Sequence, residues 1–348
     1  MDEIEVIIPN LNFRYSGGTA VNRTIAPLIA KKLDAAWFGP DAPEGVARLS
    51  LLGLLRLRFQ PPKRHRVRIW HARRNIEMLA GLALKWLGWR FAIIFNSAAQ
   101  RRHSAYTRFL ISQMDEIIAT SEISASFLEC PATVIHHGID LETYKPPADR
   151  AQSFAATGLP GKYGIGVFGR VRKQKGIDLF VAAMLRLLPK YPDFTAVIIG
   201  LITADNVAFV QKLKADIAAA GLSDRIRFLG ELPIEEVPAW YQRISIYVFA
   251  SRVEGFGLTM LEAMAAGNAV VATRAGAAEL VIEDGVTGVL APTGDVDVLT
   301  ASIEPLMQAP EKIERIGERA RARVAEAFNR DREVQEIIGV YKTIWTEA

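Results

Sequence analysis

The chain holds a single cysteine, Cys130, in 348 residues. No intramolecular disulfide can form, and no cysteine-built metal cluster either. Histidine is scarce as well: His65, His71, His103, His136 and His137 include no His-x-x-x-His pair. A zinc enzyme is therefore not expected. Long apolar runs are missing. The most apolar region, residues 78–95, is broken by Lys85 and Arg90, and no run reaches the roughly 18 residues of a membrane span. The amino terminus, MDEIEVIIPN, is acidic where a secretory leader is basic, so a cytoplasmic protein is expected. The Walker pattern GxxxxGK followed by Ser or Thr is absent, which disfavours P-loop phosphoryl transfer. Acid, finally, is scarce in one place. From Arg48 to Arg108 there are fourteen Lys or Arg and one acid, Glu77, a local charge of +13. The net charge is +4, so the rest of the chain carries −9. Such asymmetry implies a polyanionic partner for the first half. No helix-turn-helix, RRM or zinc-finger signature is present, so nucleic acid is not the expected partner. Within the stretch, LSLLGLLRLRF precedes the basic PPKRHRVR. The pattern fits a peripheral membrane-surface contact, or a core helix followed by a solvated basic loop.

What is present is an alternation. Half the residues are apolar, and the length exceeds what one core usually holds, so two domains are expected. Strand-like runs fall at 4–9, 91–95, 116–120 and 133–137, with helix-period segments at 19–33, 74–87 and 101–114. A Pro- and Ala-rich stretch at 144–164 reads as a linker. The alternation resumes with strands at 164–169, 195–200, 225–230, 245–251 and 269–273, and the tail from about 295 is nearly all helical. Strands alternating with helices imply an α/β fold with a doubly wound, parallel sheet in each half. The expected domains are residues 1–150 and 151–330. Two such domains facing each other would put a ligand cleft at the carboxyl ends of both sheets.

Three motifs bear on chemistry. Gly164-Ile-Gly166-Val-Phe-Gly169 has dinucleotide-binding glycines, but they lie within or at the end of a strand and RVRKQKG follows, not an apolar helix. Arg170, Arg172, Lys173 and Lys175 form a cationic turn after that strand, placed to neutralise a diphosphate or to be a solvated loop. The most informative segment runs from Ala250 to Pro292. A strand ends, Glu254 follows, Gly255-Phe256-Gly257 makes a close turn, and a helix opens near Leu258. Glycines admit a ligand to the backbone, and the helix start offers unpaired N–H groups to phosphate. Glu262 lies eight positions after Glu254, where spacing also allows a helix-face carboxylate in solvent.

Glu254 and Glu262, with Gly-Phe-Gly after the first, resemble the signature of glycosyltransferase family four, retaining nucleotide-sugar enzymes of the GT-B fold. Gly17-Gly18 is similar to that family's donor loop, and Arg170 with Lys175 to its diphosphate-binding pair. The resemblance implies catalytic roles for Arg170, Lys175 and Glu254, with Glu254 on donor-sugar hydroxyls. It assigns Glu262 to the ribose, and the backbone of Gly255, Phe256, Gly257 and Leu258 to sugar and phosphate. It further implies that residues 1–150 bind the acceptor and 151–330 the donor. A last helix, 331–348, would return to the first domain.

IEVIIPN, IWHARRN (69–75), NSAAQRRHSAYTRF (96–109) and HHGID (136–140) are similar to bacterial lipopolysaccharide-core mannosyltransferases. That likeness implies GDP-mannose as donor, a Kdo–lipid A type anionic glycolipid as acceptor, and peripheral attachment to the inner membrane. The resemblance implies no cofactor and no metal. Two departures stand out. Asn96 occupies the place where many members carry a sugar-binding His, leaving His71 as the other candidate for a sugar or acceptor contact. The usual Gly-Gly-x-x-Glu reads Ala275-Gly276-Ala277-Ala278-Glu279. UDP-glucose or UDP-galactose as donor and an inactive sugar-nucleotide-binding protein are the alternatives.

Overall fold

A computed structural model describes residues 3–12 and 17–347. The chain divides into two units, residues 1–137 with 330–348, and residues 138–329.

The first unit is built on β1 (Val6–Pro9), α1 (Gly17–Ala30), β2 (Ala35–Phe38), β3 (Ala47–Leu49), α2 (Leu51–Arg56), β4 (Arg68–Ala72) and α3 (Asn75–Trp86). It continues through β5 (Phe91–Ser97), α4 (Ala105–Ile111), β6 (Glu116–Ala119), α5 (Glu122–Ser126) and β7 (Thr133–Val134). The sheet is parallel, in the order β3-β2-β1-β4-β5-β6-β7. Its central strands are buried on both faces, as near-continuous apolar runs require. Alternation along the strands divides the core. Trp70, Phe91, Ile93 and Ile117 pack with Leu54, Met78, Leu82 and Leu110, so α2, α3 and α4 lie on one face.

The second unit contains α6 (Arg150–Ala155), β8 (Tyr163–Phe168), α7 (Ile177–Leu187), β9 (Phe194–Ile199), α8 (Val207–Ala219), β10 (Ile226–Gly230) and α9 (Val237–Arg243). After these come β11 (Ile244–Phe249), α10 (Leu258–Ala265), β12 (Ala269–Thr273), α11 (Ala278–Val281), β13 (Val289–Ala291), α12 (Val296–Gln308) and α13 (Pro310–Ala327). Its parallel sheet runs β10-β9-β8-β11-β12-β13. In each sheet the strand order reverses next to the first strand, between β1 and β4 and between β8 and β11. Open α/β sheets bind ligands at that switch point, outside the carboxyl ends of the strands.

The boundary between the units lies at His137/Gly138, not at 150/151. The stretch at 144–164 is no linker, because its polar side chains are committed to the second unit. Arg150 donates to the carbonyls of Tyr241, Gln242, Ile244, Ala266 and Gly267, and burial pushes its pKa down to about 10. Phe154 on α6 is buried, and the Ile139 N–H bonds Phe328 O at 2.8 Å. The last helix, α14 (Arg330–Glu347), belongs to the first unit, where it packs on α1. Its Tyr341 meets His71 across the sheet face opposite α3.

Candidate functional site

In the second unit, β8 and β11 lie side by side and their carboxyl ends open into two loops. The β8 loop runs through Arg170 and a single 3-10 turn, Lys173–Lys175, into α7. The β11 loop carries Glu254 through Gly257 into α10. Gly176 joins them. Its φ is +69°, and a Cβ there would sit 1.9 Å from Ala250 O at the end of β11. Only glycine permits this approach.

Lys175 uses it to form an ion pair with Glu254. The other Glu254 oxygen accepts from the Gly255 N–H at 3.2 Å. Around the pair the loops are braced. Arg252 makes a bidentate pair with Asp178 at 2.8 Å on both oxygens, its N–H bonds Gln174 O at 2.8 Å, and Gln174 Nε2 bonds Val253 O at 3.0 Å. Fork geometry of this kind fixes orientation as well as distance. Arg170 stands exposed at the rim.

Glu262, one turn into α10, faces inward, not to bulk solvent. Tyr241 donates its hydroxyl to the carboxylate at 2.7 Å. Burial raises the Glu262 pKa, opposed by the hydrogen bonds from Tyr241 and Tyr144 and by the charge of Lys175. Lys175 thus acts on both carboxylates. Phe256 is buried, and its carbonyl receives the Ala277 N–H at 2.8 Å. A Cβ on Gly276 (φ +64°) would lie 2.5 Å from that oxygen, so the glycine of Ala275–Glu279 supports the turn from behind. Glu279 is engaged elsewhere, with Arg274 at 2.7 Å. The structure therefore gathers Arg170, Lys175, Glu254, Gly255, Phe256, Gly257, Leu258 and Glu262 about one switch point.

The remaining candidates belong to the first unit. Gly17 and Gly18 open α1 after β1, and the loop before them, residues 13–16, is outside the described residues. His71 lies one residue before the end of β4 and is 3% exposed, with Nδ1 2.6 Å from the Tyr341 hydroxyl. Burial, aided by nearby Arg73, holds the imidazole well below its usual pKa. His71 Nε2 is buried without a protein partner. Asn96 lies buried on β5. Beside them Arg74 bridges Asn10 Oδ1 at 2.8 Å and buried Glu77 at 2.9 Å.

Tyr144, Tyr241, Asp178, Arg252, Arg74 and Tyr341 were not legible as site residues. Each has a partner distant in sequence, Arg74 through Asn10, so no local spacing signals it. The capping of Asp178 by an arginine seventy-odd positions away is a case in point.

Comparison with known proteins gives the site a context. The model of glycosyl transferases group 1 matches residues 149–323. A lipopolysaccharide core biosynthesis mannosyltransferase, LpcC of Rhizobium leguminosarum bv. viciae, is 48% identical over 98% of this chain and 97% of its own length. LpsB of Rhizobium meliloti, with the same description, is 39% identical over 98% of each. Among solved structures, Anabaena Alr3699/HepE in complex with UDP and glucose is 20% identical. It superposes with a TM-score of 0.82 over 98% of this chain and all of that one. That likeness establishes the two-domain GT-B fold of parallel-sheet α/β units.

Proposed function

We propose, from the premise that the chain belongs to the group 1 glycosyl transferases, that it moves mannose from GDP-mannose to the inner core of lipopolysaccharide, with retention at the anomeric carbon. Similarity over nearly the full length to two enzymes named as lipopolysaccharide core biosynthesis mannosyltransferases supports mannose as the sugar and that core as its destination. The crevice between the β8 and β11 loops carries the chemistry. Lys175 has three N–H donors, enough to hold Glu254 and a diphosphate oxygen together. Arg170 at the rim and the first N–H groups of α10 add positive potential where the leaving diphosphate gains charge. Glu254 orients sugar hydroxyls, and Glu262, positioned by Tyr241, accepts from the ribose.

A retaining transfer then needs no separate base. The acceptor hydroxyl attacks the face from which the diphosphate departs, and the departing oxygen takes its proton. The protein positions both partners and stabilises developing charge. Side chains and backbone supply that charge, so no metal is required. The acceptor, an anionic glycolipid, belongs with the basic first unit, and the enzyme works peripherally at the membrane that holds it.

Thermal-shift titrations with GDP, UDP and ADP at equal concentration, each with and without EDTA, test the donor reading. Stabilisation by GDP alone supports it. Stabilisation by UDP and not GDP would replace the donor with a uridine sugar, and a GDP effect that EDTA abolishes would bring a metal into the site.

A further inference from the structure

Among the described residues, sixteen large apolar side chains are exposed, and ten of them fall within residues 51–109. They are not scattered. All ten lie on or beside α2, α3 and α4, the three helices on one face of the first sheet. On α2, Leu54 enters the core while Leu51 and Leu52 stand 63% and 69% exposed. Phe59, just past that helix, is 80% exposed, and Trp86 at the end of α3 is 65% exposed. A surface helix normally turns polar groups outward, so apolar residues on both sides of α2 call for a second apolar environment.

The patch is continuous. Trp89, after α3, donates its indole N–H to Leu54 O at 2.9 Å. The Arg58 guanidinium lies 5.6 Å from the Phe59 ring and 5.5 Å from the Trp89 ring. The end of α2 and the α3–β5 turn therefore present one surface. Arg58 on this surface, and Arg56 and Arg90 next to it in sequence, are exposed, while Glu77, the one acid of the stretch, is buried and paired with Arg74. In the neighbouring basic cluster, Lys63, Arg64 and Arg66 of the loop before β4 are exposed, with Arg64 paired to Asp34 at 3.2 Å. Arg68, at the start of β4, is buried and bonds Ile4 O at 2.8 Å.

We infer that the α2–α3–α4 face is a lipid-docking surface, in which Leu51, Leu52, Phe59 and Trp86 enter the acyl boundary and the arginines beside them meet anionic headgroups. This takes up the peripheral location in the reading above and names the surface responsible. The charge selects the occupant. A second copy would bring the same cations against these and be repelled, whereas an anionic bilayer complements charge and apolar surface together. No described helix is long and apolar enough to cross a membrane, so the contact is superficial.

The test is co-sedimentation of the full chain with vesicles of phosphatidylcholine and phosphatidylglycerol in equal parts, and of phosphatidylcholine alone, without any sugar nucleotide. Binding to the anionic vesicles is expected, weakened by salt, and reduced on the order of tenfold for each exposed apolar side chain removed. The variants are Leu52→Ser, Phe59→Ser and Trp86→Ser, singly and combined, with circular dichroism to confirm the fold. Quenching of tryptophan fluorescence by brominated lipid, present in the native chain and lost in Trp86→Phe, gives a second readout. Absence of vesicle binding, equal binding to neutral vesicles, binding that the variants leave unchanged, or a self-associated species that they dissolve would each overturn the inference. None of these outcomes depends on the sugar transferred.

Discussion

Lys175 touches one carboxylate and electrostatically favours ionisation of a second, which makes it the residue whose loss propagates furthest. Lys175→Ala is expected to cost about 3 kcal/mol of transition-state stabilisation, roughly two orders of magnitude in kcat, as removal of an oxyanion donor does. Steady-state kinetics with the variant check this, and an unchanged kcat would remove Lys175 from the chemistry. The two glutamates should separate by measurement. Glu262→Ala should weaken GDP binding in calorimetry, whereas Glu254→Ala should leave GDP affinity nearly intact and abolish transfer. Equal loss of GDP binding in both would show that the ribose and sugar roles are misassigned. His71 offers a third measurement. Its folded-state pKa is depressed below 6.5 by burial, so the unfolded chain binds the proton more readily. Stability from this site is complete above about 6.5 and declines as pH falls below it. Melting temperature should therefore drop between pH 7 and pH 5, and drop less in His71→Gln.

At the scale of elements, β4 decides how the first unit is assembled, and it was also the element hardest to read. Its sequence, Arg68-Ile-Trp-His-Ala72, carries two polar residues, Arg68 and His71, that the fold buries. Burial of Arg68 is compensated by carbonyls of Ile4 and Leu57, and of His71 by a tyrosine 270 positions away. Neither partner is visible locally. Arg68→Ser leaves those carbonyls short of a donor inside the core and should destabilise the chain by about 1–3 kcal/mol in urea unfolding. A loss near zero would mean that water replaces the guanidinium. The apolar strands β5, β8, β9, β11 and β12 were legible because parallel strands buried on both faces keep unbroken β-branched runs. The short strands β2, β3 and β13 were not, having too few residues to show a period. In the site, the Glu254–Glu262 segment was legible because turn, glycines and helix start are contiguous. The ring of residues that orients it was dispersed over α7, α9 and the chain before α6, beyond the reach of spacing. The unit boundary was misplaced for a related reason: Pro- and Ala-rich composition conceals Arg150 and Tyr144, which bind the second unit.

Over the whole molecule, charge and fold divide the labour. In the proposed reading the loops after β8 and β11 of the second unit hold an anionic donor; the first unit carries the cationic, partly apolar face and the buried polar groups about His71. The family shown by the comparisons accounts for both units, while GDP-mannose and the lipopolysaccharide core are the proposal that joins them. The most direct test is incubation of the purified chain with GDP-mannose and a Kdo-containing lipid A acceptor, followed by mass spectrometry and anomeric analysis of the product. Addition of one hexose in the α configuration of the donor, with release of GDP, is the expected result. An unmodified acceptor under conditions where GDP binds, or a product of inverted configuration, would contradict the account.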